Sequence, residues 1–413
     1  MKYINENMTI LEICEKFPET IEFLISKGFK NLDNETVRNM VGKVSLKNAL
    51  AMKKINVDTF VEILNELISQ NRNSADITMN NNSDVEKDKK DEITMTGLLP
   101  CPIRIPLLEG MKNFLENNKD INLNYDLKAA SYGLDWLKDD VIKANHPEKL
   151  ADIFISAGFD LFFEDELMGK FKKENIFKDI TGIKEYNKNF NNEEISLRDP
   201  DGDYSMLGVV PAVFLVNKDE LKGREIPQTW EDLLKPEFEK SVSLPISDFD
   251  LFNSILINLY KKYGKEAVSK LGKSLLQNLH PSQMVKSDKF KENVPTVTIM
   301  PYFFTKMIKE NSSMIAVWPQ DGAAISPIFM LTKNIKDNEN KKEQIRKIAE
   351  FLAGEQVGII MSHQGLFPAV NPNVDNNIEG KKFLWVGWDY IHENNIGNIL
   401  RECKELFFVG AEK

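Results

Sequence analysis

The sequence predicts an α/β protein preceded by a small all-α domain. From Ile93 onward, strand-like apolar runs alternate with segments of helical spacing, as in an α/β fold. Residues 1–70 keep helical spacing throughout. Between these parts, residues 71–92 (NRNSADITMNNNSDVEKDKKDE) are nearly without bulky apolar groups. Such a stretch cannot support a core and reads as a flexible linker. The 413 residues exceed the ~100–200 of a usual domain, so two or three cores are expected.

In the helical part, Thr9 and Glu12 have capping-box spacing, and Ile10, Ile13, Cys14 and Phe17 share the face that follows. Pro18 opens a second helix carrying Ile21, Phe23, Leu24 and Ile25, and Gly28 is placed to end it in the left-handed conformation. Ser45 caps a third helix with Leu46, Ala49 and Leu50. Asp58 caps a fourth with Phe60, Val61, Ile63, Leu64, Leu67 and Ile68. A segment of this length buries only a small core. It resembles a short helical domain of unknown function found beside redox and iron–sulfur-repair proteins. Members often carry paired cysteines after a Gly-aromatic or Gly-Met turn. Here that turn reads Gly28-Phe29-Lys30-Asn31-Leu32-Asp33, without a cysteine, so a module for a protein partner or self-association is expected.

In the α/β part, Ile93–Leu99 is the first strand, Ile105–Leu115 the first helix and Ile121–Leu127 the second strand. Pro147–Ala151 begins a helical turn, and Ile153–Phe163 contains a strand broken at Ser156-Ala157-Gly158. Leu207–Asn217 is a long apolar strand. Val242–Pro245 is a strand, Phe249–Lys262 a helix, and Val294–Met300 and Met314–Trp318 two further strands. Ile325–Thr332 is the next strand, before an amphipathic helix.

Three segments stand out: Gln228-Thr229-Trp230-Glu231-Asp232-Leu233-Leu234, the Trp318-Pro319-Gln320-Asp321-Gly322 turn, and the exit Gly365-Leu366-Phe367-Pro368-Ala369-Val370-Asn371-Pro372. Their order resembles type II periplasmic solute-binding proteins, in the branch of ferric-ion and polyamine binders, over roughly residues 93–380. The resemblance implies a two-lobed type II periplasmic-binding-protein fold. Lobe one would hold about 93–210 and 325–413, and lobe two about 211–324. It also implies a small-molecule ligand held between the lobes; no cofactor or metal is expected.

Composition narrows the partners. A net charge of −10 gives no general attraction to nucleic acid or anionic lipid. Cys14, Cys101 and Cys403 are too far apart for a spaced metal site or a disulfide framework. The four histidines form no metal-ligand pair. No run reaches the ~18–20 apolar residues of a membrane helix. The opening MKYINENMTILEICEKF lacks the ~7–15-residue apolar stretch of a signal peptide, so a cytoplasmic location is expected.

Ligands of open α/β sheets bind beyond the carboxyl ends of strands, where helix starts offer free N–H groups. Four loops qualify. The first holds Leu99, Pro100, Cys101 and Arg104: two prolines stiffen the backbone around the thiol, and a thiol at a helix start is acidified. The second is Ser156-Ala157, small enough for a ligand to approach the backbone. Ser247 and Asp248 form the third, and either also reads as a helix cap. The fourth joins Tyr302 to Trp318, Asp321 and Gly322. Ferric-binding relatives use adjacent tyrosines in the region of Tyr302 and Phe303. One phenol is present here, and ferric iron wants several anionic oxygens. Polyamine-binding relatives use aromatic walls and carboxylates, which Trp318, Tyr302 and Asp321 would supply. The leading expectation is thus a cytosolic two-lobed binder that senses, sequesters or delivers its ligand. An enzyme using Cys101 with His363 as base and an exported transporter component are the alternatives.

Overall fold

The computed structural model describes residues 3–17, 20–29, 32, 38, 42–53, 55, 57, 60–61, 64–65, 68, 79–80, 92–100, 103–129, 135–144, 146–246, 250–279, 284–285, 287–289, 292–309 and 312–412. At 22, 26, 79–80, 104–105, 129, 135, 160, 172–174 and 289 it describes the backbone alone. The chain divides into two units, Met1–Ile77 and Thr78–Lys413.

In the first unit, the Thr9 hydroxyl accepts from the Glu12 amide, and the Glu12 carboxylate accepts in return from the Thr9 amide at 2.7 Å. This capping box opens Ile10–Lys16. The second helix runs Ile21–Ser26, and Gly28 follows it at φ +86°. Pro18 lies outside the described residues. Ser45 caps Leu46–Met52 as expected. Of the fourth predicted helix, Phe60, Val61, Leu64 and Ile68 are described and buried, while Asp58, Ile63 and Leu67 lie outside the described residues. All four join one cluster with Ile10, Ile13, Cys14, Leu24 and Leu50. Burial pushes the Cys14 thiol up to about 11, which suits packing rather than redox chemistry.

The second unit is built on eleven described strands: β1 Met79–Asn80, β2 Ile93–Leu99, β3 Leu123–Ala129, β4 Ile153–Ala157, β5 Ser205–Asn217, β6 Val242–Leu244, β7 Leu275–Asn278, β8 Val297–Pro301, β9 Met314–Val317, β10 Ala323–Thr332 and β11 Phe383–Leu384. Their order is β1-β3-β2-β4-β10-β5-β8-β6-β7, with β9 on β5 and β11 on β10. β1 falls within the expected linker 71–92 and pairs antiparallel with β3; apart from it and Glu92, that linker lies outside the described residues.

β5 and β10 connect the lobes. The first half of β5 pairs antiparallel with β10, from Ser205↔Met330 to Pro211↔Ile325. Its second half pairs with β8 (Ala212↔Pro301 to Val216↔Val297) and with β9 (Phe214↔Val317 to Asn217↔Met314). All thirteen β5 residues are buried, as expected of a strand covered on both faces. Lobe one is β1–β4, β10 and the first half of β5; lobe two is the remainder of β5 with β6–β9.

At the far end of lobe one, Asp152 binds three partners. Its Oδ2 accepts from the Thr94 amide (2.9 Å), the Thr94 hydroxyl (3.1 Å) and Lys341 Nζ (2.9 Å). Lys333 Nζ lies 3.7 Å from Oδ1. Burial drives the Lys333 ammonium below the ordinary lysine range, against the pull of Asp152.

Beyond β5 the Thr229-Trp230-Glu231-Asp232 segment forms a second capping box over Trp230–Leu233. Desolvation alone would raise the Asp232 carboxyl. Hydrogen bonds from Lys235, the Gln228 amide and Thr229 outweigh it and bring the group to about 2. This contribution is complete above the unfolded value of ~3.9 and is lost as pH falls through about 2. Asp232→Ala is therefore expected to cost about 0.5–2 kcal/mol at neutral pH and to flatten the acid side of the stability curve between those values. Denaturant unfolding at stepped pH measures both.

Sequence reasoning placed 325–413 with lobe one. The last helix, Ile396–Ala411, departs from this, because it packs along the lobe-two helices Leu251–Tyr263 and Lys265–Ser274. Its Phe407 meets Phe252 edge-on at 4.9 Å.

Candidate functional site

The cleft between the lobes collects the strand-end loops. On lobe one, β2 ends in buried Leu99 and Pro100, and the helix Arg104–Asn117 follows. Cys101 and the Arg104 side chain lie outside the described residues. At the end of β4, Ser156 and Ala157 are buried, and the Ser156 hydroxyl donates to the Ala157 carbonyl (2.8 Å). Gly158 then takes φ +131°, and a Cβ there would sit 3.2–3.3 Å from Asp250.

Asp250 belongs to lobe two and heads the helix Leu251–Tyr263. Its own φ is +44°, an uncommon left-handed conformation for a residue with a side chain. The carboxylate makes no cap bond to its own helix. Oδ2 instead accepts from the Phe159 amide of lobe one at 2.6 Å, and Oδ1 accepts from Asn253 Nδ2. Ser247 and Asp248, the residues expected from this loop, lie outside the described residues.

Further contacts bridge the lobes. The rings of Phe303 (lobe two) and Phe367 (lobe one) stand 6.1 Å apart and 20° from parallel. Lys306 Nζ donates to the carbonyls of His363 (2.9 Å) and Gln364 (3.0 Å). These are the last carbonyls of a helical segment, the end that favours a cation. His363 Nε2 also lies 2.8 Å from the Asp375 carbonyl.

Tyr302 is half-buried and meets Trp318 edge-on at 5.1 Å and 81°. The Trp318 indole donates to the Lys382 carbonyl (2.7 Å), and Lys381 Nζ sits 5.7 Å from its ring. Tyr302 and Trp318 thus come together as expected. Asp321 and Gly322 make structural bonds. Both Asp321 oxygens accept from the Trp230 amide, at 3.2 and 3.0 Å, and Oδ2 also accepts from the Tyr263 hydroxyl. Burial and this carboxylate push the Tyr263 phenol up. The Gly322 carbonyl accepts from the Trp230 indole at 2.8 Å. These bonds tie the segment leaving β5 to the turn entering β10.

Sequence reasoning missed Phe159, Asp250, Phe303, Lys306 and Phe367 as cross-lobe contacts. Asp250 had a signal, since it stands two residues after Asp248 at the same predicted helix start. The others are ordinary packing or surface residue types, and only the tertiary arrangement selects them. Among the described residues one group has metal-ligating character: Asp199, Asp201 and His392, on the loop before β5 and the helix Trp388–Glu393. It is not on the strand-end loops.

Two lobes joined by paired crossing strands, with loops converging between them, define a solute-binding protein. Residues 148–394 match the family model of bacterial extracellular solute-binding proteins, and the chain belongs to that family. Residues 4–61 match a domain of unknown function, DUF1858. Among solved structures, the apo ferric ion-binding protein A of Pasteurella haemolytica is similar at 17% identity and TM-score 0.55, covering 77% of this chain and 98% of that one. The ferric binding protein of Campylobacter jejuni gives 17% and 0.54, over 76% and 99%. The substrate binding protein of an ABC transporter from Agrobacterium tumefaciens gives 15% and 0.52, over 80% and 98%. At these identities the likeness shows the fold, a type II periplasmic-binding fold. No curated protein matches.

Proposed function

We propose that the protein closes its two lobes on a small organic molecule, with β5 and β10 as the hinge. The Asp250–Phe159 hydrogen bond carries this reading: it joins a lobe-two carboxylate to a lobe-one amide at the strand ends where a ligand would lie. A ligand touching both walls shifts the hinge because it gains the second set of contacts only when they meet.

Two of the similar structures are of ferric-binding proteins. The described cleft loops fit that cargo poorly. Beside Tyr302 stands Phe303, which offers no oxygen and stacks on Phe367. The Asp250 carboxylate already accepts from Phe159 and Asn253. Hard ferric iron selects several anionic oxygens, so an organic ligand with an apolar or aromatic part suits these walls better. Sensing, sequestration or delivery in the cytosol completes the proposal. The buried free thiols of Cys14 and Cys403 suit a reducing compartment.

Native mass spectrometry of the purified full chain tests the reading. A co-purified organic mass released on denaturation is expected, with no phenolate-to-iron absorption band on ferric titration. An iron-loaded protein showing that band would overturn the organic assignment. No released mass and no thermal shift across a metabolite and metal panel would overturn binding itself.

A further inference from the structure

We propose that the C-terminal helix Ile396–Ala411 is a further tie between the lobes, one that restrains opening and stays with lobe two when the cleft opens. This rests on the hinge reading above.

The helix has 16 residues, so it is about 24 Å long. Ile396, Leu400, Cys403 and Phe407 recur at spacings of four, three and four, which puts them on one face. That single stripe is shared between the lobes. The helix packs on Asp160–Phe163 of lobe one and, more extensively, on Lys265–Ser274 and Leu251–Tyr263 of lobe two, where Phe407 meets Phe252 edge-on at 4.9 Å. The polar contacts divide the same way. Asn395 Nδ2 donates to Asp165 Oδ2 (2.6 Å), and Arg401 Nη1 lies 3.7 Å from Glu164 Oε1, both in lobe one. Glu402 accepts from the Tyr260 hydroxyl (2.9 Å) and pairs with Lys265, and Lys240 Nζ donates to the Ala411 carbonyl (2.6 Å), all in lobe two.

The two grips differ in kind. On lobe two, main chain rests on main chain: a Cβ on Gly272 would fall 2.0 Å from the Phe407 carbonyl oxygen, and one on Gly410 would fall 2.1 Å from the Ser269 carbonyl oxygen. On lobe one the closest approach is to a side chain: a Cβ on Gly397 would fall 2.9 Å from Glu164 Cγ and 3.5 Å from its Cα. A helix does not stretch, so separating the lobes must release one end, and the side-chain end yields first. Asn394 and Asn395 are extended and join this helix to Trp388–Glu393, which is pinned to lobe one by the Trp388 indole on the Leu197 carbonyl (2.9 Å). That pair is the joint.

Spin labels at Lys309→Cys in lobe two and Glu355→Cys in lobe one, in full-length protein carrying Cys101→Ser, report the opening of the cleft. Adding Asn395→Ala and Arg401→Ala is expected to shift the distances toward the longer population. Hydrogen exchange of the unlabelled protein is expected to be faster over 396–401 than over 404–410, without any strap substitution. A broad distance distribution that the double variant leaves unchanged, or equal exchange along the helix, would overturn the strap alone. One narrow distance in every background, with and without the co-purified ligand, would overturn the hinge and the strap together.

Discussion

Asp152→Ala is expected to destabilise the α/β unit by about 3–5 kcal/mol, the cost of leaving a buried charge without its partner. Asp152 is 3% exposed, and the Lys333 side chain beside it is 10% exposed. The carboxylate also holds the Thr94 amide and hydroxyl, so its removal frees donors in both β2 and the helix that carries Lys341. Asp152→Asn should recover the Thr94 bonds and part of the loss, because the amide oxygen still accepts. Chemical denaturation read by tryptophan fluorescence decides this. A change under about 1 kcal/mol, the usual worth of an exposed ion pair, would show that solvent reaches these charges. The double variant Asp152→Ala/Lys333→Met should regain stability over Asp152→Ala, since the ammonium, held then only by the Glu148 and Leu150 carbonyls, is no longer buried without a counter-charge.

Asp250→Ala is expected to weaken ligand retention by about 10–100-fold. A hydrogen bond to a charged group is worth about 1.5–3 kcal/mol, and about 1.4 kcal/mol is tenfold in affinity. Asp250 Oδ2 holds the Phe159 amide across the cleft, so the loss should appear in cleft closure. Gly158→Ala should act in the same direction, because its Cβ would press on Asp250 and its φ of +131° disfavours a side chain. The occupied fraction in native mass spectra, compared with wild type purified in parallel, measures the effect. Equal occupancy would remove Asp250 from the binding machinery.

Much of the scaffold was legible because it rests on local chemistry. The capping box at Thr9 and the Ser45 cap form as their spacing dictates. The apolar runs of β2, β5 and β10 lie within a residue or two of their expected bounds. The cleft was less legible. Asp321 has the composition of a ligand contact, yet its oxygens are taken by Trp230 and Tyr263, some sixty to ninety residues away in sequence. No local pattern announces such a partner. Asp250 errs in the other direction: it falls inside the predicted helix Phe249–Lys262 and reaches across the lobes. β7 and the last helix were not anticipated, since β7 is half-buried and the helix stripe divides its apolar residues between two cores.

The strand order carries a consequence for synthesis. β10 lies between β4 and β5 in the lobe-one sheet, yet it leaves the ribosome only after all the strands of lobe two have been made. Lobe one must therefore wait, with the edges of β4 and the first half of β5 unpaired, while lobe two can already assemble around the second half of β5. Unpaired strand edges of this kind are where chains aggregate, and pairing across long sequence separations is slow. The nascent chain is most exposed during that interval, and the sheet begun first is the one closed last.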